Sequence, residues 1–200
     1  MLVILDIQHM GKPTHQKISD WGAVNDLDHS GTFETGEQEA ALTYQYVGHA
    51  AFALRDLGHS VIILADGWYS ERHQRANKYS HDINLPSIYI AAHVNAGGGN
   101  YGAIFYDYRS ARGWKLSETM GKHLEFKCHE LTTVKTIISR PDDWTKNAFS
   151  TISGIMSPIG ICYEPFFLDN QNHAILATSD GLQRIGEAIA NAVDEYSEGV

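Results

Sequence analysis

The chain has 200 residues, of which 43% are hydrophobic, and its formal net charge is −9 at pH 7. This length and apolar content suffice for one sizeable core, so we expect a single globular domain over residues 1–200. The acidic balance and the absence of a lysine or arginine cluster argue against nucleic acid as a partner, because phosphates require a concentrated basic surface.

Short runs rich in β-branched and aromatic residues predict strands, and segments with apolar residues at helical spacing predict helices between them. The predicted strands cover residues 2–6, 60–65, 87–92, 103–108 and 159–164. The predicted helices run from a capping pair at Thr35 and Gln38 to Gly58, and then over 70–82, 111–130 and 180–197. The run at 103–108 is also compatible with an edge strand.

Strands that alternate with helices indicate βαβ units around a mostly parallel sheet. The predicted fold class is therefore α/β: a three-layer sandwich in which a mostly parallel, mixed and twisted sheet of about six strands is flanked by helices. Residues 10–35 and 139–149 carry neither pattern. Long loops of this kind often form the walls of a functional site.

Polar residues stand where three predicted strands end, the position at which open parallel sheets bind ligands. His9 and His93 follow the first and third strands, and Glu164 ends the last. A lone histidine at a strand end is most often a satisfied, half-buried side chain. Three such groups at one edge are hard to attribute to packing, because burying each unpaired costs roughly 1–3 kcal/mol. Imidazoles with a carboxylate are a ligand set suited to Zn²⁺.

A third zinc ligand from the protein is expected at the start of the first long helix. Three carboxylates are available there, Glu34, Glu37 and Glu39, of which Glu39 lies inside the first helical turn. Carboxylates at this position also stabilise a helix N-terminus by about 0.3–1 kcal/mol without binding anything. Spacing alone leaves all three glutamates open as the ligand.

Four segments together resemble the motifs of zinc-dependent N-acetylmuramoyl-L-alanine amidases of the Amidase_3 type, the catalytic domains of cell-wall hydrolases and phage endolysins. In chain order they are LDIQHMG with DWGA, GEQEAALTY, SERHQRAN with AAHVNA, and YEPFFLDN. Each motif is weak by itself, but their order and their placement on the predicted elements are specific. The resemblance covers nearly the whole chain.

The resemblance implies that His9, Glu39 and His93 bind Zn²⁺ and that Glu164 is the catalytic carboxylate. It also implies that the substrate is peptidoglycan, cut at the amide between N-acetylmuramic acid and L-alanine. The candidate substrate contacts are Asn95, Arg72, Phe166 and Trp144. For two of them a structural role competes: a helix-surface or salt-bridge role for the arginine, and the pinning of its loop for the tryptophan.

Three positions depart from the family's motifs: Gln8 and Phe166 replace glycine, and Ala91 replaces serine. The link from His9 to Glu39 is also longer than is usual for the family. These departures are expected to alter the local backbone turn and the shape of the substrate groove. The residues expected to bind zinc are all still present.

Two further features near the site are interpreted as structural. Cys162 lies on the same strand face as Glu164, but no basic neighbour in the sequence marks it as a thiolate, so we expect a core residue. The glycines from Gly97 to Gly99 are expected to form a flexible turn rather than an anion site.

Two rival functions remain open. A zinc carboxypeptidase or another zinc amidohydrolase would use the same scaffold, and a carboxypeptidase would need an arginine clamp such as Arg72 or Arg140. The second rival is an inactive module that binds the cell wall without turnover.

No signal-peptide pattern, membrane-length apolar run or wall-binding repeat is visible, and two cysteines are too few for a disulfide framework. We therefore expect a monomeric endolysin domain that waits in the host cytoplasm before lysis, without integral membrane association.

Overall fold

The computed structural model describes residues 1–10, 22–23 and 38–199. The strands are β1 Leu2–Ile7, β2 Ser60–Leu64, β3 Ser87–Ala92, β4 Gly102–Asp107, β5 Val134–Ser139 and β6 Ile159–Glu164. The α-helices are α1 Glu39–Asp56, α2 Tyr69–Ile83, α3 Ala111–Lys127, α4 Lys146–Ile152 and α5 Ser179–Glu198, and a 3₁₀ helix, Gln171–Ala177, precedes α5.

The strands form one six-stranded sheet in the order β2-β1-β3-β6-β4-β5. Every neighbouring pair is parallel except β4 with β6, which is antiparallel. This confirms the predicted mixed, mostly parallel sheet. The strand β4 lies inside the sheet, because β5, which the sequence pattern missed, occupies the edge.

Helices cover both faces of the sheet and give the predicted three layers. On one face, Val3 and Leu5 of β1 belong to a hydrophobic cluster that contains the buried sides of α1, α3 and α5. On the other face, Leu2 and Ile4 pack in a second cluster with residues of α2 and α4. Alternate residues of a strand point to opposite faces, so a strand covered on both sides is apolar along its whole length.

Several boundaries differ from the predicted ones. The described part of α1 begins at Glu39, with Gln38 as an N-cap whose side chain makes no capping bond, and Thr35 lies outside the described residues. The helix α3 ends at Lys127 rather than at 130. Short helix α4 occupies part of the unassigned stretch 139–149, whereas most of 10–35 lies outside the described residues. No helix in the described ranges is long and apolar enough to cross a membrane.

Candidate metal centre

The candidate metal centre lies at the sheet edge where β1, β3 and β6 end. His9 stands two residues after β1, His93 directly follows β3, and Glu164 is the last residue of β6. Because these three strands are parallel neighbours, their carboxyl ends meet. The first residue of α1, Glu39, reaches the same place, so the structure brings together all four residues that the resemblance singled out.

Two imidazoles and one carboxylate converge closely enough to share a metal ion. One ligand atom each from His9, Glu39 and His93 lies within 4.8 Å of the other two. Nδ1 of His93 is 2.8 Å from Oε1 of Glu39, and Nε2 of His9 is 3.6 Å from the same oxygen. Tetrahedral zinc with ligands at about 2.0–2.2 Å places them roughly 3.3 Å apart, so small shifts of these side chains suffice.

The histidines themselves carry two further signs of a ligand site. Nε2 of His93 is buried and has no hydrogen-bond partner among the residues that the structure describes. A buried polar atom in that state costs about 1–3 kcal/mol, which an added partner, or a metal ion bound through this nitrogen rather than through Nδ1, relieves. His9 has a φ of +65°, a left-handed conformation that is uncommon for non-glycine residues and occurs mostly at turns and functional sites. The donor set therefore fits zinc.

Glu39 is held in place by backbone N–H groups from two other segments. Ala23 N donates to Oε2 at 2.7 Å, and Val94 N donates to Oε1 at 3.0 Å. Gly22 has a φ of +70°, and a Cβ there would lie only 2.8 Å from Cδ2 of His9, so glycine is required for this close approach. Burial raises the pKa of Glu39, but the hydrogen bond and charge of His93 outweigh it and leave that pKa below its ordinary value.

Glu164 lies next to this cluster in a different electrostatic environment. Burial raises the pKa of Glu164, His93 lowers it, and the negative charge of Glu39 raises it further, so the net direction is upward. Nδ2 of Asn95 donates a hydrogen bond to Oε2 of Glu164 and fixes the orientation of the carboxylate. A carboxyl group with a raised pKa is suited to accept and return a proton near neutral pH.

Solved structures share this architecture. No protein-family model matches the sequence. No curated protein matches it either. The N-acetylmuramoyl-L-alanine amidase from Clostridium difficile 630 superposes with a TM-score of 0.73 at 18% identity, over 98% of this chain and 96% of that one. The CwlD amidase from Clostridioides difficile, solved in complex with the GerS lipoprotein, gives 0.72 at 18% identity, over 100% and 99%.

The chain has the fold of the N-acetylmuramoyl-L-alanine amidases. A further match, Cwp6 from Clostridium difficile, has a TM-score of 0.72 at 22% identity. That match covers 97% of this chain but only 29% of Cwp6, so the chain spans less than a third of that protein.

A cleft of about 360 Å³ opens above His9, Glu39, His93 and Glu164. Tyr69, at the start of α2, lines one side. Three residues of α4 also line the cleft: Asn147, Ser150 and Thr151. These wall residues were missed in the sequence, although they stand at i, i+3 and i+4 and so share one face of a helix. A seven-residue helix is too short for that spacing to be distinctive.

The segments that follow β3 and β6 are tied together beside the cleft. Asn95 N donates to the carbonyl of Phe166 at 2.9 Å, and Leu168 N donates to the carbonyl of Asn95 at 2.8 Å. The N–H groups of Gly97 and Gly98 donate to the Asp169 carboxylate at 2.8 and 3.0 Å. An internal carboxylate therefore binds the glycine turn, and the flexibility of the turn stays a prediction.

Two of the four predicted substrate contacts are not accessible to a ligand. Arg72 is only 1% exposed, pairs with Asp6 and donates to the carbonyl of Ile7 at 2.7 Å, so the salt-bridge alternative holds. The same burial removes it as a carboxypeptidase clamp. Phe166 is also 1% exposed and belongs to the hydrophobic core, which explains how the chain tolerates it in place of glycine.

The other two predicted contacts remain accessible, and the cysteine behaves as expected. Asn95 lines the cleft. Trp144 is 72% exposed and contacts Phe105 edge to face, with ring centroids 6.2 Å apart, so its contact with substrate stays a prediction. Cys162 is fully buried, and burial raises its pKa well above the usual value, so it is a thiol in the core.

Proposed function

We propose that this chain is a zinc-dependent N-acetylmuramoyl-L-alanine amidase that hydrolyses the amide between N-acetylmuramic acid and L-alanine in peptidoglycan. The observation that carries the proposal is the convergence of His9, Glu39 and His93 on one point, with the Glu164 carboxylate beside it. The fold supports the same reaction class, since amidases of this name share it at 16–18% identity.

The proposed chemistry divides the work between the metal ligands and Glu164. His9, Glu39 and His93 would hold the zinc ion, which would supply Lewis-acid polarisation of the scissile carbonyl and would acidify water in the site. Glu164 accepts the proton of the attacking water and then delivers a proton to the leaving amine. Asn95 holds the Glu164 carboxylate in one orientation for both transfers.

The decisive experiment measures the release of alanine amino termini from purified peptidoglycan. The protein is assayed as purified, after treatment with a chelator, and after zinc is restored. We expect the protein to release alanine termini as purified, to stop releasing them after chelation, and to release them again once zinc is restored. Release of other amino termini would favour the carboxypeptidase alternative. Binding to the wall that persists in chelator, with no release of termini, would favour the wall-binding module.

We also propose that the chain acts as an endolysin that waits in the host cytoplasm. Expressing it in bacteria, with and without a membrane-permeabilising agent, tests this placement. We expect lysis only after permeabilisation, and lysis without it would contradict the proposal.

A further inference from the structure

A lysine on the edge strand lies in one row with the catalytic carboxylate. The strand register pairs Ala103 of β4 with Glu164 of β6 on one side and with Lys135 of β5 on the other. Residues paired in register point to the same face of a sheet. Two strand spacings separate the Cα atoms of Glu164 and Lys135 by about 10 Å. Lys135 therefore lies at the catalytic edge, on the face that α4 covers.

The ammonium group of Lys135 is held by an aromatic ring that packs towards the site. Nζ lies 3.5 Å from the centroid of the Tyr101 ring. Tyr101 in turn contacts Phe167 edge to face, with centroids 4.9 Å apart, and Phe167 is bridged to Asn95. A cation over an aromatic face is attracted by the ring quadrupole, which restrains an otherwise mobile side chain.

This cation has no anionic partner among the residues that the structure describes. Lys135 is exposed, and across residues 1–10, 22–23 and 38–199 no carboxylate lies within ion-pair distance of it. In a chain of net charge −9, such a group beside the site is a local positive charge. A restrained, unpaired ammonium is pre-organised to bind an anion, because less side-chain entropy is lost on binding.

We propose that Lys135 is a specificity-determining residue that binds a carboxylate in the peptide part of the substrate. The inference rests on the proposed function. N-acetylated sugars are neutral, whereas a peptide carries carboxylates, so the cation marks the side of the catalytic edge on which the peptide would lie. Roughly three residues of extended chain span the separation of about 10 Å between the Cα atoms of Glu164 and Lys135, so we expect the carboxylate within about three residues of the scissile amide.

The test compares the binding of two muramoyl tripeptides, one with free carboxylates and one with those groups as carboxamides. Binding is measured by calorimetry on zinc-loaded Glu164→Gln protein, so that turnover does not interfere. Lys135→Met keeps the aliphatic stem over Tyr101 and removes the charge. The matched control is Lys115→Met. Nζ of Lys115 also lies over a tyrosine ring, 5.7 Å from the centroid of Tyr196, but in the helical layer on the opposite face of the sheet.

We expect Lys135→Met to weaken binding of the carboxylate peptide about fivefold, and Lys135→Arg and Lys115→Met to leave it unchanged. Binding of the carboxamide peptide should not change in any variant. Equal binding of the two peptides, an equal loss for both, or no binding of either would overturn the role of Lys135. Failure of the proposed function has a different result: wild-type protein would then release no alanine termini from peptidoglycan.

Discussion

At the scale of single residues, the contacts of Glu39 are those expected of a metal ligand rather than of an acid that only stabilises a helix N-terminus. Its two carboxylate oxygens accept N–H groups from Ala23 and Val94, and one of them also meets His93. A carboxylate so fixed, with a lowered pKa, is held ionised, as metal binding requires. Helix-dipole stabilisation alone would not require these partners.

Glu39→Gln is expected to abolish stable zinc binding. Loss of partners in the outer shell alone weakens metal binding by about 10–100-fold, so loss of a direct ligand should cost more. Zinc content after dialysis against a weak chelator measures the effect. Glu34→Gln and Glu37→Gln are the controls and should retain zinc, and loss of zinc in either of them but not in Glu39→Gln would reassign the ligand.

Glu164→Gln should retain zinc but lower turnover by about 10²–10⁴-fold, since it removes the proton carrier. The amide still accepts the hydrogen bond of Asn95, so the cleft keeps its shape. Release of alanine termini and zinc content are measured together. Activity near the wild-type level would exclude Glu164 as the catalytic carboxylate.

The same variant should be more stable than wild type when both are metal-free at neutral pH. Burial raises the pKa of Glu164 above its ordinary 4.5, so the folded state binds the proton more tightly than the unfolded state does. The buried charge therefore lowers stability as pH rises above about 4.5, and stability levels off above the folded pKa. Melting temperatures of metal-free proteins at pH 7 and pH 4 check this, with exposed Glu118→Gln as the control. A gain that is the same at both pH values would contradict it.

At the scale of elements, a buried ion pair joins β1 to α2 directly beneath the site. Asp6 is fully buried and accepts bonds from Arg72 of α2, from Tyr89 of β3 and, at 2.5 Å, from Gln8. Gln8 thus extends the network where the family has glycine. This pair fixes the end of β1, and so the position from which His9 projects.

Arg72→Met should destabilise the protein by about 3–5 kcal/mol, because the Asp6 carboxylate is left buried without its partner. Urea unfolding of the metal-free protein measures the loss. Arg75→Met, one turn along α2, removes a solvent-exposed pair with Asp66 and should cost less than about 1 kcal/mol. If the two variants lost equal stability, the structural role assigned to Arg72 would be wrong.

At the scale of the whole molecule, the net charge of −9 governs the approach to an anionic cell wall. Like charges repel over a Debye length of about 10 Å at 0.1 M salt and less at higher salt. Lysis of walls rich in teichoic acid should therefore strengthen as salt rises. Turbidity clearing across a salt series measures this, with teichoic-acid-free peptidoglycan as the control substrate. Suppression of lysis by salt on the anionic wall would contradict the electrostatic prediction.

Local pattern alone was sufficient for the class of fold and for three of the four residues of the site. Buried strands of β-branched residues alternating with amphipathic helices specify a parallel sheet, and a parallel sheet brings the ends of its strands together. His9, His93 and Glu164 were therefore predictable, since each follows or ends a buried run. Cys162 was predictable as a core residue for the same reason.

Other features depend on contacts between residues far apart in the sequence, and only the tertiary structure decided them. The N–H groups that hold Glu39 come from segments at residues 23 and 94, which the spacing of residues in the sequence could not show. The charge of Arg72 gives no sign that Asp6 neutralises it in the core. Lys135 joins the site only through strand register, because β5 pairs with β4 and β4 with β6. Sequence periodicity predicts which face of a helix or strand is buried. Only the strand register and the packing in the tertiary structure determine which buried faces contact each other.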